Sequence, residues 1–254
     1  MRQFRFSALF FGSILLFSGA GFAAPNAAPP PTSTATTPAP QRDQAAWELL
    51  RAASQARQTM PDGFKGFSAD LVLGVDGENF TGKIEFLREG ESKIEFGALP
   101  ETQKSWFNDR LLNLIGHRRG GDWEKGDGRF PITFSAEKPN HYGVAVELND
   151  RLQSRYRIKD GKVSEVTRTA GGTTFTISVL QTQEADAGKY LSNHFVVTYR
   201  DAQTLKPTMF EGYRDAYTRF EGVWLPKSRV VVEIGDAISP TTRTIQLLNF
   251  AALK

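Results

Sequence analysis

From residue 43 onward, apolar positions recur first with a helical period and then, for most of the chain, with a period of two. Over Asp43 to Met60, Trp47, Leu50, Ala53 and Arg57 fall on one stripe with Leu49 and Ala56 beside it. That spacing predicts a helix over 43–60, with Asp43 as N-cap and Pro61-Asp62-Gly63 as its stop. Phe67, Ala69, Leu71, Leu73 and Val75 then alternate with the residues between them, as on a strand with one buried face. Asp76-Gly77 is a two-residue hairpin turn, because both residues tolerate positive φ. Phe80, Gly82, Ile84 and Phe86 continue the alternation on the return strand, and Ile94 and Phe96 predict a third. Helical spacing reappears at Phe107, Leu111, Leu114 and Ile115, predicting a helix over 101–116 entered through Pro100.

Beyond Gly120 the strand pattern persists. Tyr142, Val144, Val146 and Leu148 alternate, as do Phe175, Ile177 and Val179, and later Val230, Val232 and Ile234. Turn residues punctuate them at Asp160-Gly161, Gly171-Gly172, Asp186 to Gly188, Glu221-Gly222 and Gly235-Asp236. Such spacing specifies successive hairpins, with no room for βαβ crossovers. The opposite faces are polar, as at Thr174, Thr176 and Ser178 or Arg155, Arg157 and Lys159. A sheet apolar on one face must be covered. The expected fold is therefore mainly β (α+β): a curled antiparallel sheet, half-barrel-like, with the two helices covering its concave face.

The N-terminus changes where this domain works. Arg2 and Arg5 precede an uncharged apolar stretch, Phe6 to Phe17, and Gly21-Phe22-Ala23-Ala24 supplies small residues for cleavage after Ala23. Residues 1–23 are expected to be a signal peptide. An uncleaved anchor is the rival reading, but the dense apolar core is shorter than the ~20 residues that span a bilayer. Ala24 to Pro40 holds six of the 13 prolines, so residues 24–42 read as a disordered Pro/Ala/Thr-rich linker. Residues 43–254 are expected to form a single antiparallel β domain. The chain is therefore expected to be exported, periplasmic or extracellular, with no membrane span once the signal is removed. The formal charge of +3 falls to about +1 without Arg2 and Arg5, which argues against nucleic acid as a partner. With no cysteine, disulfides, thiolate metal sites and lipid attachment at an N-terminal Cys are excluded.

Several short runs carry a resemblance. Glu48-Leu49-Leu50-Arg51-Ala52 leads to Gly66-Phe67-Ser68-Ala69-Asp70. His117-Arg118-Arg119, Tyr156-Arg157-Ile158 with Val163, Gly188-Lys189-Tyr190-Leu191 and Leu225-Pro226 follow in order. Together, over Ala45 to Glu233, the chain is similar to a bacterial family of exported proteins catalogued as a domain of unknown function. That resemblance implies no catalytic residue. The order of helix, strand pair, helix and long meander, with the Gly222 to Pro226 run, more loosely resembles the LolA-type periplasmic lipoprotein-carrier half-barrels.

The chemistry-bearing residues are sparse. His117, His141 and His194 are far apart and lack the close pairing of a zinc motif. His117, Arg118 and Arg119 follow the second helix. They either complement its dipole or form an anion site, since clustered guanidinium groups suit carboxylate or phosphate. There is no G-x-S-x-G elbow, P-loop or G-x-G-x-x-G. Tyr156 and Tyr213 stand among basic residues, a pattern that suits base stacking, but the near-neutral charge opposes it. No catalytic residue, cofactor or metal site is expected. The expected function is a non-enzymatic binding protein for a lipid or another apolar or amphipathic ligand, lined by Phe107, Leu111, Leu114, Ile115, Phe175 and Ile177. The alternatives are an envelope protein–protein interaction module and a hydrolase with an unrecognised acidic or histidine site.

Overall fold

The computed structural model describes residues 41–235 and 238–253; the expected signal peptide and the linker as far as residue 40 lie outside the described residues. Helix α1 spans Gln44–Gln55. Asp43 caps it, its Oδ1 accepting from the Ala45 and Ala46 amides at 2.9 and 3.1 Å, which satisfies two of the donors a helix start leaves open. The helix is shorter than the expected 43–60. Its continuation is captured by strand-type pairing: the Tyr190 amide donates to the Ala56 carbonyl at 3.0 Å and the Gln58 amide to the Tyr190 carbonyl at 2.8 Å. The stop is thus a tertiary partner and not Pro61.

The remaining elements are β1 (Gly66–Val75), β2 (Glu78–Leu87), β3 (Lys93–Phe96), α2 (Glu101–Gly116), β4 (Ile132–Phe134), β5 (Val144–Leu148), β6 (Arg155–Lys159), β7 (Lys162–Ala170), β8 (Thr173–Glu184), β9 (Tyr190–Asp201), β10 (Pro207–Phe220), β11 (Val223–Gly235) and β12 (Ile238–Ala252). A single 3-10 turn, Asp127–Arg129, precedes β4. All twelve strands form one unclosed antiparallel sheet in the order β3-β2-β1-β12-β11-β10-β9-β8-β7-β6-β5-β4. Neighbours in the sheet are neighbours in the chain throughout, except where β12 returns to β1. This places β3 and β4 at opposite edges, and the chain between them must cross the sheet. Eleven strand spacings would make a flat sheet ~53 Å wide, whereas α2 reaches only ~24 Å. Curling the sheet shortens that crossing.

Two-residue turns set the register. Val75 pairs with Glu78, Lys159 with Lys162, Ala170 with Thr173 and Phe220 with Val223. At the first of these Asp76 has φ 50° and Gly77 φ 87°, the doubly left-handed turn whose twist matches that of its strands.

Following partners across the strands, Tyr156, Val166, Ile177, Val197, Glu211 and Glu233 form one row on a single face. Both helices pack on that face. Helix α1 buries Ala46, Trp47, Leu50 and Ala53 against Ile132, Val146, Tyr156 and Val166. Helix α2 buries Phe107, Leu111, Leu114 and Ile115 against Phe67, Leu73, Phe86, Leu225 and Ile245. Between these apolar ends Val197, Tyr213 and Val231 form a small buried cluster. Val230, Val232 and Ile234 are not the inward set of β11. Val232 and Ile234 are 38% and 49% exposed, while Arg229, Val231 and Glu233 are buried. The polar partners offered by β10 and α2 decide that orientation. Among the described residues no helix is long and apolar enough to cross a membrane.

Leu111 is fully buried in the apolar cluster under α2. Leu111→Ala is expected to cost about 2–5 kcal/mol, read from urea denaturation. A loss below 1 kcal/mol would mean that this end of the helix is not packed core.

Candidate functional site

The centre of the helix-bearing face is built from charge. On β10 the period-two run Glu211, Tyr213 and Asp215 is buried. Asp215 pairs in register with Arg229 of β11, and Arg229 Nε and Nη2 each donate to one carboxylate oxygen at 2.7 Å. Arg229 Nη1 reaches the Arg110 carbonyl at 3.2 Å and Asn113 Oδ1 at 3.3 Å. Glu211 accepts from Arg110 and from the Tyr199 and Tyr213 hydroxyls at 2.7 and 2.8 Å. Glu233 accepts from Trp106 Nε1 at 2.7 Å and from Arg243, whose Nε donates to Gln103 Oε1 at 3.1 Å. Gln103, Trp106, Arg110 and Asn113 follow one stripe of α2, so the helix docks through a polar stripe beside its apolar one. Burial raises the Glu211 pKa, against the pull of Arg110 and the two phenols. Burial likewise raises Tyr213 and Tyr199.

Beside this network, between the C-terminal end of α2 and strands β7–β11, lies a cavity of about 130 Å³. Its aliphatic lining comes from Leu114, Val163, Val166, Ile177, Val179 and Leu191, and its charged and polar lining from Arg57, Arg110, His117, Arg118 and Arg229 with Asp215 and Tyr217. Burial lowers the His117 pKa to about 3, aided by Arg229, Arg57, Arg118 and Arg168, so its ring is neutral at pH 7. Arg118 is 3% exposed. Its guanidinium carbon stands 5.2 Å from the Tyr217 ring, and its Nε and Nη2 have no hydrogen-bond partner. Burial brings its pKa down to about 10, which leaves it charged.

Of the six apolar residues expected to line a ligand, Leu114 and Ile177 border the cavity. Phe107, Leu111 and Ile115 are in the packed cluster, and Phe175 leans on Tyr199 with ring centroids 6.3 Å apart. Of the candidate anion site, His117 and Arg118 face the cavity. Arg119 turns away, donating to the Leu87 and Gly90 carbonyls. His141 and His194 are exposed. Arg57, Arg110, Asp215 and Arg229 escaped the sequence reading, although the polar alternation Glu211, Tyr213, Asp215, Tyr217 was a visible sign of a charged inner face. A second hollow, about 330 Å³, is walled by Thr59, Pro61, Asp186 and Trp224, where Asp186 accepts from Trp224 and Arg219. Among the described residues no cluster of acidic or histidine side chains is placed to hold a metal ion.

The family model described as "Protein of unknown function (DUF3386)" matches residues 41–253. No curated protein matches the chain. Three solved structures are similar to it at low identity. A putative outer membrane lipoprotein-sorting protein domain from Vibrio parahaemolyticus is 6% identical, covering 82% of this chain and 92% of its own, with a TM-score of 0.35. A LolA superfamily protein from Nitrosomonas europaea is 9% identical, covering 82% and 94%, at 0.28. A DUF1329 family protein from Desulfovibrio piger is 10% identical, covering 84% and 93%, at 0.29.

Two outcomes follow from the buried charges. Asp215→Ala strands Arg229 in the interior and is expected to cost about 3–5 kcal/mol, with the double replacement Asp215→Leu, Arg229→Met costing much less; equilibrium unfolding of both variants checks this. His117 is neutral when folded but protonates below about pH 6.5 when unfolded. Its folded pKa is depressed, so below pH 6.5 the unfolded state binds the extra proton and stability falls with pH. Between pH 7 and pH 5 this loss amounts to about 2 kcal/mol. His117→Asn should flatten the pH dependence by that amount in urea titrations; an unchanged slope would show that the imidazole still gains its proton when folded.

Proposed function

The chain belongs to the DUF3386 family, and for this member we propose an exported, non-enzymatic binding protein that takes an apolar or amphipathic ligand between α2 and the sheet. The observation that carries this reading is the cavity of about 130 Å³ with six aliphatic residues in its lining, set beneath a helix that meets the sheet partly through polar contacts. Pockets of 300–1,000 Å³ are usual for drug-sized ligands, and ~130 Å³ corresponds to about four waters. A short aliphatic body therefore enters the closed form, while a long acyl chain requires α2 to lift. On this reading the helix-bearing face is the concave one. The basic and apolar N-terminal pattern, with its small-residue cleavage site, supports export.

A second reading, docking of an envelope protein, is favoured by the outer face. Phe210 pairs with Ile234, with Val232 two residues away, and all three are more than a third exposed. Contiguous exposed apolar residues of this kind serve interfaces.

The test is native mass spectrometry of protein purified from its own envelope, together with titration of a fluorescent fatty acid. A co-purifying ligand, or probe uptake, is expected; an empty protein that ignores the probe overturns the reading. Ile177→Phe fills the cavity and is expected to weaken probe uptake at least tenfold while the melting temperature changes little. Undiminished uptake would place the ligand elsewhere, with the outer face next to be tried.

A further inference from the structure

Each charged group around the cavity can be assigned a partner except one. Asp215 spends both oxygens on Arg229, and Arg110 is held by Glu211. Arg57 donates to the Ser54 carbonyl and has further interactions. Arg118 stacks on Tyr217, which occupies the face of its guanidinium and leaves the in-plane donors Nε and Nη2 unpartnered in the interior. A buried cation without hydrogen bonds is among the costliest arrangements in a fold. It persists where something outside the fold completes it. A planar guanidinium offering two in-plane donors matches the paired oxygens of a carboxylate or phosphate. His117, neutral beside it, adds polarity without a competing charge. Leu114, Ile177 and Val179 line the same cavity.

We propose that Arg118 is the anion-binding residue of the cavity, seating the carboxylate or phosphate head of an amphiphile whose aliphatic body lies against Leu114, Ile177 and Val179. This rests on the ligand-binding reading above and specifies the chemical class of the ligand. Neutral apolar molecules gain the aliphatic wall but leave the guanidinium unsatisfied, so the site discriminates by head group. The fold leaves two donors of a buried cation unanswered until the ligand arrives, which is the usual signature of a site kept for function at the expense of stability.

Calorimetric titration of the full mature protein with hexanoate, hexyl phosphate and hexan-1-ol tests this. One or both anions are expected to bind at least tenfold more tightly than the alcohol, and the stronger of the two identifies the head group. Arg118→Met is expected to abolish that preference, so that the anions bind no more tightly than the alcohol, and to raise the ligand-free melting temperature by about 2–4 °C. Equal binding of acid and alcohol, or a preference that survives in Arg118→Met, overturns the anion site and leaves the binding reading standing. Failure of all three probes to bind overturns both. Should Arg118→Met not fold, Arg118→Gln keeps amide donors without charge. Failure of both variants to fold would show Arg118 to be a structural cation and overturn the proposal.

Discussion

Charge buried on the inner face of the central strands is the constraint on which the rest of the structure depends. Glu211, Asp215, Arg229 and Glu233 are each at most 6% exposed, and a buried charge persists only when it is paired and hydrogen-bonded. The sheet supplies two internal pairs on these strands, Asp215 with Arg229 and Glu233 with Arg243 of β12. Glu211 must find its cation on a separate element, and α2 provides it as Arg110, with Trp106 adding a donor to Glu233. The position of α2 is therefore dictated twice. Its apolar stripe seeks Phe67, Leu73 and Ile245, and its polar stripe must lie over β10 and β11. Apolar burial supplies free energy but slides easily; directional bonds to fixed carboxylates set where the helix stops.

That double requirement explains why the core is split. Helix α1 seals the β4–β7 end with Trp47 and Leu50, aided by Trp123 edge-on to Trp47 at 5.6 Å. Helix α2 seals the β1–β2–β12 end. Neither helix is broad enough to fill the width of a twelve-stranded sheet, and the middle strands meet them with aliphatic residues on β7 to β9 and charged ones on β10 and β11. The cavity is what remains at that boundary. Its two-sided chemistry follows from which strands border it.

Local signals were legible wherever local physics decided the outcome. Asp76-Gly77 closes a hairpin because its residues reach positive φ, and the 107, 111, 114, 115 stripe identifies the buried side of α2. The antiparallel meander followed from the spacing of turns. Illegible were features set by partners distant in sequence. Ala56 to Gln58 have helical neighbours but pair with Tyr190, more than 130 residues on. The apolar Val230, Val232, Ile234 series faces outward since Arg229 must meet Asp215. Periodicity identifies two faces without saying which is inner. On β11 the charged face won, because its partners on β10 and α2 were in place. For the same reason α2's polar stripe carried no sign of its role until the carboxylates beneath it were known.

The buried arginines differ in what the fold sets beside them. Arg168 is 4% exposed, yet Ser154, Tyr156 and Asp127 surround it with acceptors. Arg157, equally buried, lies between Glu137 and Glu165. Arg229 has a bidentate carboxylate. Three times this chain met a buried guanidinium with a carboxylate within 4 Å, so it has the means to neutralise such a group. At Arg118, in the wall of the cavity, it has not done so, and two of the nitrogens lack acceptors. Among the described residues every other cation of comparable burial is answered from within the fold, and that contrast is what supports the anion site proposed at Arg118.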